Sequence, residues 1–174
     1  TPVASRRIEF LGDSITAAAC IFDNAKPAQL ADYNTYGLTA SWHGYAKKYR
    51  RWGYLFDSAA KLADVLAVKH DLGLRTRAAY QAGDKDALRA LVPVYAEALA
   101  CAESFVESFR NVWFKENKPH GFDVQEHRLG GLLLRLRSQG KRLADYVEGR
   151  VDRIPELEET ILPFNSENYK KAGF

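Results

Sequence analysis

Cysteine and proline are scarce in this chain of 174 residues, which has two cysteines and six prolines. Cys20 and Cys101 lie far apart, so they build neither a disulfide framework nor a cysteine-based metal site. Hydrophobic residues make up 47% of the chain and charged residues 27%. This composition excludes intrinsic disorder, collagen and low-complexity polymers, and it predicts a folded globular protein.

Long apolar runs are also missing, because no uncharged apolar stretch approaches the roughly 20 residues that a membrane-spanning helix needs. The N-terminus lacks the charged-then-apolar order of a signal peptide. We therefore expect a soluble, cytoplasmic protein that has no membrane partner.

A large charge of one sign is absent as well. The net charge is +3, and the basic clusters at Lys47–Arg51 and Arg135–Arg142 are short. Asp145 and Glu148 dilute the second cluster. A nucleic-acid-binding protein concentrates its positive charge on one face, so we expect no nucleic-acid partner.

The first part of the chain, residues 1–49, shows no helical period. Arg7–Leu11 alternates and is rich in β-forming residues, which predicts a strand, and Gly12–Ser14 is a turn signal directly after it. A helix can begin within Thr39–Tyr49. We interpret residues 1–49 as an N-terminal appendage, 50–163 as a helical bundle and 164–174 as a tail.

The middle of the chain has helical periodicity. An apolar stripe at helical spacing predicts a first helix, which Gly73 would end: Trp52, Leu55, Phe56, Ala59, Leu62, Ala63 and Leu66. A short helix is predicted over Leu74–Gln81, ended by Gly83. Asp84 is then a good N-cap for a long helix that runs to about Lys118 and is kinked by Pro93.

A third long helix is predicted to begin at a capping box in Asp123–Glu126. Its apolar stripe consists of Val124, His127, Leu132, Leu136, Leu143 and Val147. Pro155 begins a short terminal segment, Glu156–Leu162. Because the connections are short, neighbouring helices should be antiparallel. The predicted fold is mainly α, an antiparallel three-helix bundle with a short β-containing N-terminal appendage.

The most specific short motif is Gly12–Thr16, which follows the predicted strand. Together with Ile8–Leu11 and Thr35–Ser41 it resembles the first block of SGNH (GDSL-type) hydrolases, in their carbohydrate-esterase branch; the resemblance covers residues 6–41. It implies that Ser14 is the acyl nucleophile and that its backbone N–H forms part of the oxyanion hole. The Asp-x-x-His that supplies the base in that family is missing, since no aspartate lies three residues before His43, His70, His120 or His127.

A second resemblance covers residues 50–163. Tyr49–Asp57, Leu62–Tyr80 and Trp113–Gln125 resemble the C-terminal helical region of bacterial family 20 glycoside hydrolases, the β-N-acetylhexosaminidases. In that family the catalytic Asp-Glu pair and the sugar-binding tryptophans lie on a (β/α)8 barrel that precedes this region, and no such barrel is found in this sequence. The resemblance implies a helical region that packs beside a catalytic barrel.

Other chemically suggestive groups have simpler explanations. His120, Asp123, Glu126 and His127 cannot all point at one metal ion from one helical turn, so we expect a capping and surface role and no metal site. Glu158 and Glu159 are expected to be solvated charges. The following aromatic residues could form a sugar platform but fit a core better: Trp42, Trp52, Trp113, Phe105, Phe109 and Phe114.

Gly130 and Gly131 lie inside a predicted helix, where each glycine costs about 1 kcal/mol relative to alanine. Close approach of another helix is the expected reason. Val106, Phe114 and Leu134 lie outside the main stripes and are candidates for the side that faces a barrel. If the appendage does not cover them, the chain should self-associate, most simply as a two-fold dimer.

These observations favour a non-catalytic helical accessory or interaction module related to carbohydrate-active hydrolases, with no cofactor. One alternative is a small serine esterase that acts on acetylated carbohydrate through Ser14. The two resemblances meet near Lys48–Arg50, and Asn168–Phe174 resembles a cloning scar. Three other origins therefore stay open: a fusion, a truncated product, or an artificial or orphan helical protein without evolved function.

We predict that Ser14 supports no esterase activity, because a serine hydroxyl without an adjacent base is a weak nucleophile at neutral pH. Hydrolysis of an aryl acetate by the wild-type chain and by Ser14→Ala should be equally slow. A wild-type rate well above that of Ser14→Ala would contradict the prediction.

Overall fold

The computed structural model describes residues 38–159, in which six α-helices and no strand are found. The helices are α1 (Leu38–Lys48), α2 (Gly53–Lys69), α3 (Leu72–Gln81), α4 (Lys85–Glu116), α5 (Phe122–Val147) and α6 (Pro155–Glu158). The mainly helical prediction is confirmed for this range. The predicted strand and the turn at Ser14 lie outside the described residues.

Helix α4 is the longest element and lies at the centre of the structure. It begins as the sequence predicts, because the Asp84 carboxylate accepts a hydrogen bond from the backbone N–H of Ala87 at 2.9 Å. Gly83 precedes it with a φ of 68°, a conformation that glycine adopts without strain. Pro93 lies on an exposed side, and the helix continues past it to Glu116.

The long helices pack as antiparallel neighbours, as predicted. Glu103 on α4 pairs with Arg137 on α5 at 3.2 Å, and Tyr54 at the start of α2 donates to Glu116 at the end of α4. Helix α4 packs against both α2 and α5, whereas α2 and α5 make little direct contact with each other. Helix α1 packs on α2. The arrangement is therefore an array in which α4 lies between α2 and α5, not three mutually packed helices.

The buried side of α5 differs from the predicted stripe. The side chains that enter the core are seven residues apart along most of the helix: Phe122, Leu129, Leu136, Leu143 and Val147. Val124 and His127 are exposed instead. The predicted capping box is also wrong, because Gly121 begins the helix with a φ of 90° and no side chain caps it. Asp123 consequently lies within the first turn.

The predicted stripe of α2 is only partly buried, and Trp52 and Leu55 are exposed. Small residues are buried instead, namely Gly53, Ser58 and Ala60. Small residues are buried on α2 because this helix has another helix on each side. A Cβ at Gly53 would lie 2.5 Å from the carbonyl oxygen of Ala46, so α1 approaches too closely for a larger side chain.

Two predictions about other glycines are corrected by the structure. Gly73 does not end a helix, since α2 ends at Lys69 and Gly73 lies within α3. Gly130 and Gly131 are not contact points, because a Cβ at either position would meet nothing within 4 Å in the described chain. The close approach occurs at Gly140, where a Cβ would lie 3.0 Å from the Cβ of Tyr95.

Alanine substitution should therefore have opposite effects at two positions of α5. Gly131→Ala should raise the free energy of unfolding by about 0.5–1 kcal/mol, because it restricts the unfolded chain and meets no neighbour. Gly140→Ala should lower it by about 1 kcal/mol or more, because Tyr95 must shift. Urea unfolding followed by circular dichroism measures both. Equal changes at the two sites would contradict the packing described here.

Candidate docking surface

Ser14 lies outside the described residues. The structure therefore tests neither its predicted nucleophilic hydroxyl nor its predicted oxyanion-hole N–H. Within residues 38–159, one histidine is held by a carboxylate. The Nε2 of His43 lies 2.9 Å from Oδ2 of Asp64. A search for Asp-x-x-His misses this pair because the two residues are far apart in sequence. The contact joins α1 to α2.

Metal and thiol chemistry have little support in the described part of the chain. No group of three or more His, Cys, Asp and Glu side chains is placed to hold a metal ion there, and His120 and His127 are both exposed. Burial raises the pKa of the Cys101 thiol, and the negative charges of Asp64 and Glu97 raise it further. The thiol is thus kept protonated and is a poor nucleophile.

Among the described helices, none is long and apolar enough to span a bilayer.

The aromatic residues divide into core and surface groups. Phe105 is buried and Phe109 packs against the core, as predicted. Trp113 lies 5.8 Å from Phe122, centroid to centroid, and its Nε1 donates to the carbonyl of Lys118 at 3.1 Å. Trp42 stacks on Phe56 in the α1–α2 contact. Only Trp52 and Phe114 of the predicted platform are exposed, each with 45% of its surface.

Cations of the same chain lie over several of these exposed rings. The Arg110 guanidinium is 4.8 Å from the centre of the Phe114 ring, whose other neighbour is Phe122. Arg51 lies 5.1 Å from the centre of the Trp52 ring. Such cation–π contacts occupy ring faces that a sugar would need. The described aromatic residues therefore do not form a flat, open platform.

The most exposed large apolar side chain is Leu134, at 60%, and Val124 at 46% also lies on α5. At about 100° of rotation per residue, both lie away from the buried row of this helix. Gly131 lies between them on the same side. We call this surface, with Arg128 and Arg135 beside it, the α5 outer face. Val106, the third residue predicted for such a surface, instead packs partly buried against the core.

The α5 outer face is basic in its C-terminal part, whereas two exposed carboxylates, Asp123 and Glu126, lie near Val124 at its N-terminal end. From His127 to Arg142 the chain has no acidic residue and five basic ones: Arg128, Arg135, Arg137, Lys141 and Arg142. The last three pair with Glu103, Asp145 and Glu156, respectively. Among residues 38–159, no carboxylate forms an ion pair with Arg128 or Arg135. Burial, and then the positive charge of Arg135, lower the pKa of Lys69 on α2.

The residues after α5 are bound to α3 through the Tyr80 hydroxyl and through Arg77, which donates to the backbone carbonyl of Glu159. Tyr80 accepts from the backbone N–H of Ile154 at 2.9 Å and donates to Oε1 of Glu158 at 2.7 Å. Glu158 also pairs with Arg153, so it is not the freely solvated charge that we expected. The hydrogen bond from Tyr80, and then the contact with Arg153, lower the pKa of Glu158.

A comparison with protein families finds one matching model. Its description is Glycoside Hydrolase 20C C-terminal domain, and it matches residues 19–174. The match contains residues 50–163, for which we noted a resemblance to family 20 enzymes, and it also includes α1. It does not support the SGNH resemblance, since residues 19–41 lie within the matched range. A search of curated proteins finds no match.

The lowered pKa of Glu158 predicts a loss of stability in acid. A carboxyl group with a lowered pKa in the folded state stabilises the fold above the ordinary glutamate value of 4.5, and this contribution is lost as the pH falls through the folded-state pKa. Glu158→Gln should therefore lower the urea midpoint at pH 7 and flatten its fall between pH 5 and pH 3.

Glu159→Gln is the matched control, because its side chain makes no such contact among the described residues. It should leave the pH profile of the urea midpoint unchanged. Identical profiles for Glu158→Gln and the wild type would show that the Tyr80 contact does not contribute to stability.

Proposed function

Because the chain belongs to the family of C-terminal domains of 20C-type glycoside hydrolases, we propose that it is a non-catalytic helical module that packs against the catalytic domain of such an enzyme. The observation that carries the proposal is the family match over residues 19–174. The resemblance to β-N-acetylhexosaminidases suggests that this catalytic domain is a (β/α)8 barrel that acts on N-acetylhexosaminides.

The carboxylates of the described residues support a non-catalytic role. Glycoside hydrolysis uses two carboxyl groups beside the sugar, one of which has a raised pKa so that it can act as an acid. In Asp145, Glu156 and Glu158 the pKa is lowered instead, in each case by hydrogen bonds to neighbouring side chains. These groups serve ion pairs between and after the helices.

The surface of the module supports a packing role. Large apolar side chains remain exposed among the described residues: Tyr45, Tyr49, Trp52, Leu55, Phe114, Val124 and Leu134. Contiguous apolar surface on a soluble domain marks contact sites with other proteins or domains. Of these side chains, Val124 and Leu134 both lie on α5, away from its buried row.

We expect the purified chain to bind a 20C-type catalytic domain from which the helical region has been removed. Size-exclusion chromatography and titration calorimetry should show a one-to-one complex. The chain alone should release no nitrophenol from an aryl N-acetylglucosaminide. Hydrolysis that depends on the pure chain would contradict the non-catalytic role, and failure to bind the catalytic domain would contradict the packing role.

A further inference from the structure

The geometry points to the α5 outer face, built from Val124, Gly131 and Leu134 with Arg128 and Arg135 beside them, as the surface that docks on the catalytic domain. This inference rests on the proposed function and adds the location and the chemistry of the contact. The partner surface should be apolar at its centre and carry carboxylates at its edge.

The position of the face on α5 is the first argument. Leu129 and Leu136 enter the core, whereas Leu134 and Val124 point away from it and are the two most exposed large apolar side chains. An exposed leucine in the middle of a long helix gains nothing from folding of the isolated module. Transfer of such a side chain from water into a contact with a partner is favourable.

The glycines are the second argument. Gly130 and Gly131 lie inside α5, where glycine is less favourable than alanine. A Cβ would meet nothing within 4 Å at either position, so packing among residues 38–159 does not require glycine there. Elsewhere in this structure, glycines at helix contacts are needed: Gly53 approaches α1 and Gly140 approaches Tyr95. A partner backbone that lies close to Gly131 would give this glycine the same use.

Charge identifies the partner's chemistry. Arg128 and Arg135 flank the apolar centre, and both are exposed. Arginine pairs with carboxylates in a bidentate geometry and is enriched at interfaces. The occupant should therefore present Asp or Glu side chains around an apolar patch, and the binding should weaken as salt is added.

The other exposed apolar residues are better satisfied within the chain. Tyr45 and Tyr49 pack against Phe56, and Lys48 lies 5.3 Å from the centre of the Tyr49 ring. Phe114 lies 4.8 Å from Phe122. Leu134, in contrast, is 60% exposed, and a Cβ at Gly131 would meet nothing within 4 Å in the described residues. For this reason the α5 outer face is the better candidate.

The test measures binding of the full chain to a 20C-type catalytic domain that lacks its own helical region. Leu134→Glu and Arg135→Glu should each weaken binding by about tenfold or more. The first substitution places a charge at the centre of the proposed interface, and the second reverses a charge there. Leu55→Glu and Arg50→Glu introduce the same charge at exposed positions of the α1–α2 side and should change the affinity by less than about twofold. Urea unfolding of each variant shows that the fold is retained.

Hydrogen exchange gives a second readout that needs no substitution. Amides at residues 124–135 should gain protection in the complex. If the wild-type chain binds but the four variants bind alike and these amides are unchanged, the α5 outer face is not the contact while the proposed function stands.

Two further outcomes would overturn the inference. If the wild-type chain does not bind, the proposed function fails and the inference fails with it. If light scattering shows that Leu134→Glu abolishes self-association of the chain alone while binding to the catalytic domain is unchanged, the face is an interface between two copies of this chain.

Discussion

The structure depends on burial of both flanks of α4. At about 100° per residue, its buried and partly buried apolar side chains cover about half of the helix circumference, from Val92 at one edge to Cys101 at the other. One neighbouring helix cannot cover such an arc, so α2 and α5 pack on α4 from two sides. These contacts determine the antiparallel order of the helices and where the bundle ends. They also bring Tyr95 of α4 against Gly140 of α5. A loss of apolar surface on α4 would affect all the other described helices.

An array centred on one helix leaves the outer sides of its flanking helices open. For α2 this side receives α1, which approaches closely at Gly53 and adds the His43–Asp64 pair. For α5, none of the described residues plays this part. The exposure of the α5 outer face is thus a consequence of the arrangement, and our proposed contact with a catalytic domain depends on this exposure.

Local signals in the sequence predicted the helices well because they act within one turn. Asp84 caps α4 through a contact three residues away, Gly83 allows the left-handed turn before it, and Pro155 begins α6. Where two local signals competed, sequence reasoning failed. Gly121 rather than Asp123 begins α5, because the left-handed conformation at Gly121 already turns the chain into the helix.

Family resemblance and the presence of the long helices could be inferred from the sequence of residues 50–163, since both depend on extended sequence and on short-range contacts, although Gly73 and Asp123 were assigned wrongly as helix ends. Burial could not be inferred in the same way. Leu134 and Leu136 are the same residue type on one helix, yet the first is exposed and the second is buried. Gly131 and Gly140 likewise look equivalent in sequence, but only Gly140 faces another helix. Which side of a helix is covered depends on where its neighbours pack, and that is a property of the whole array.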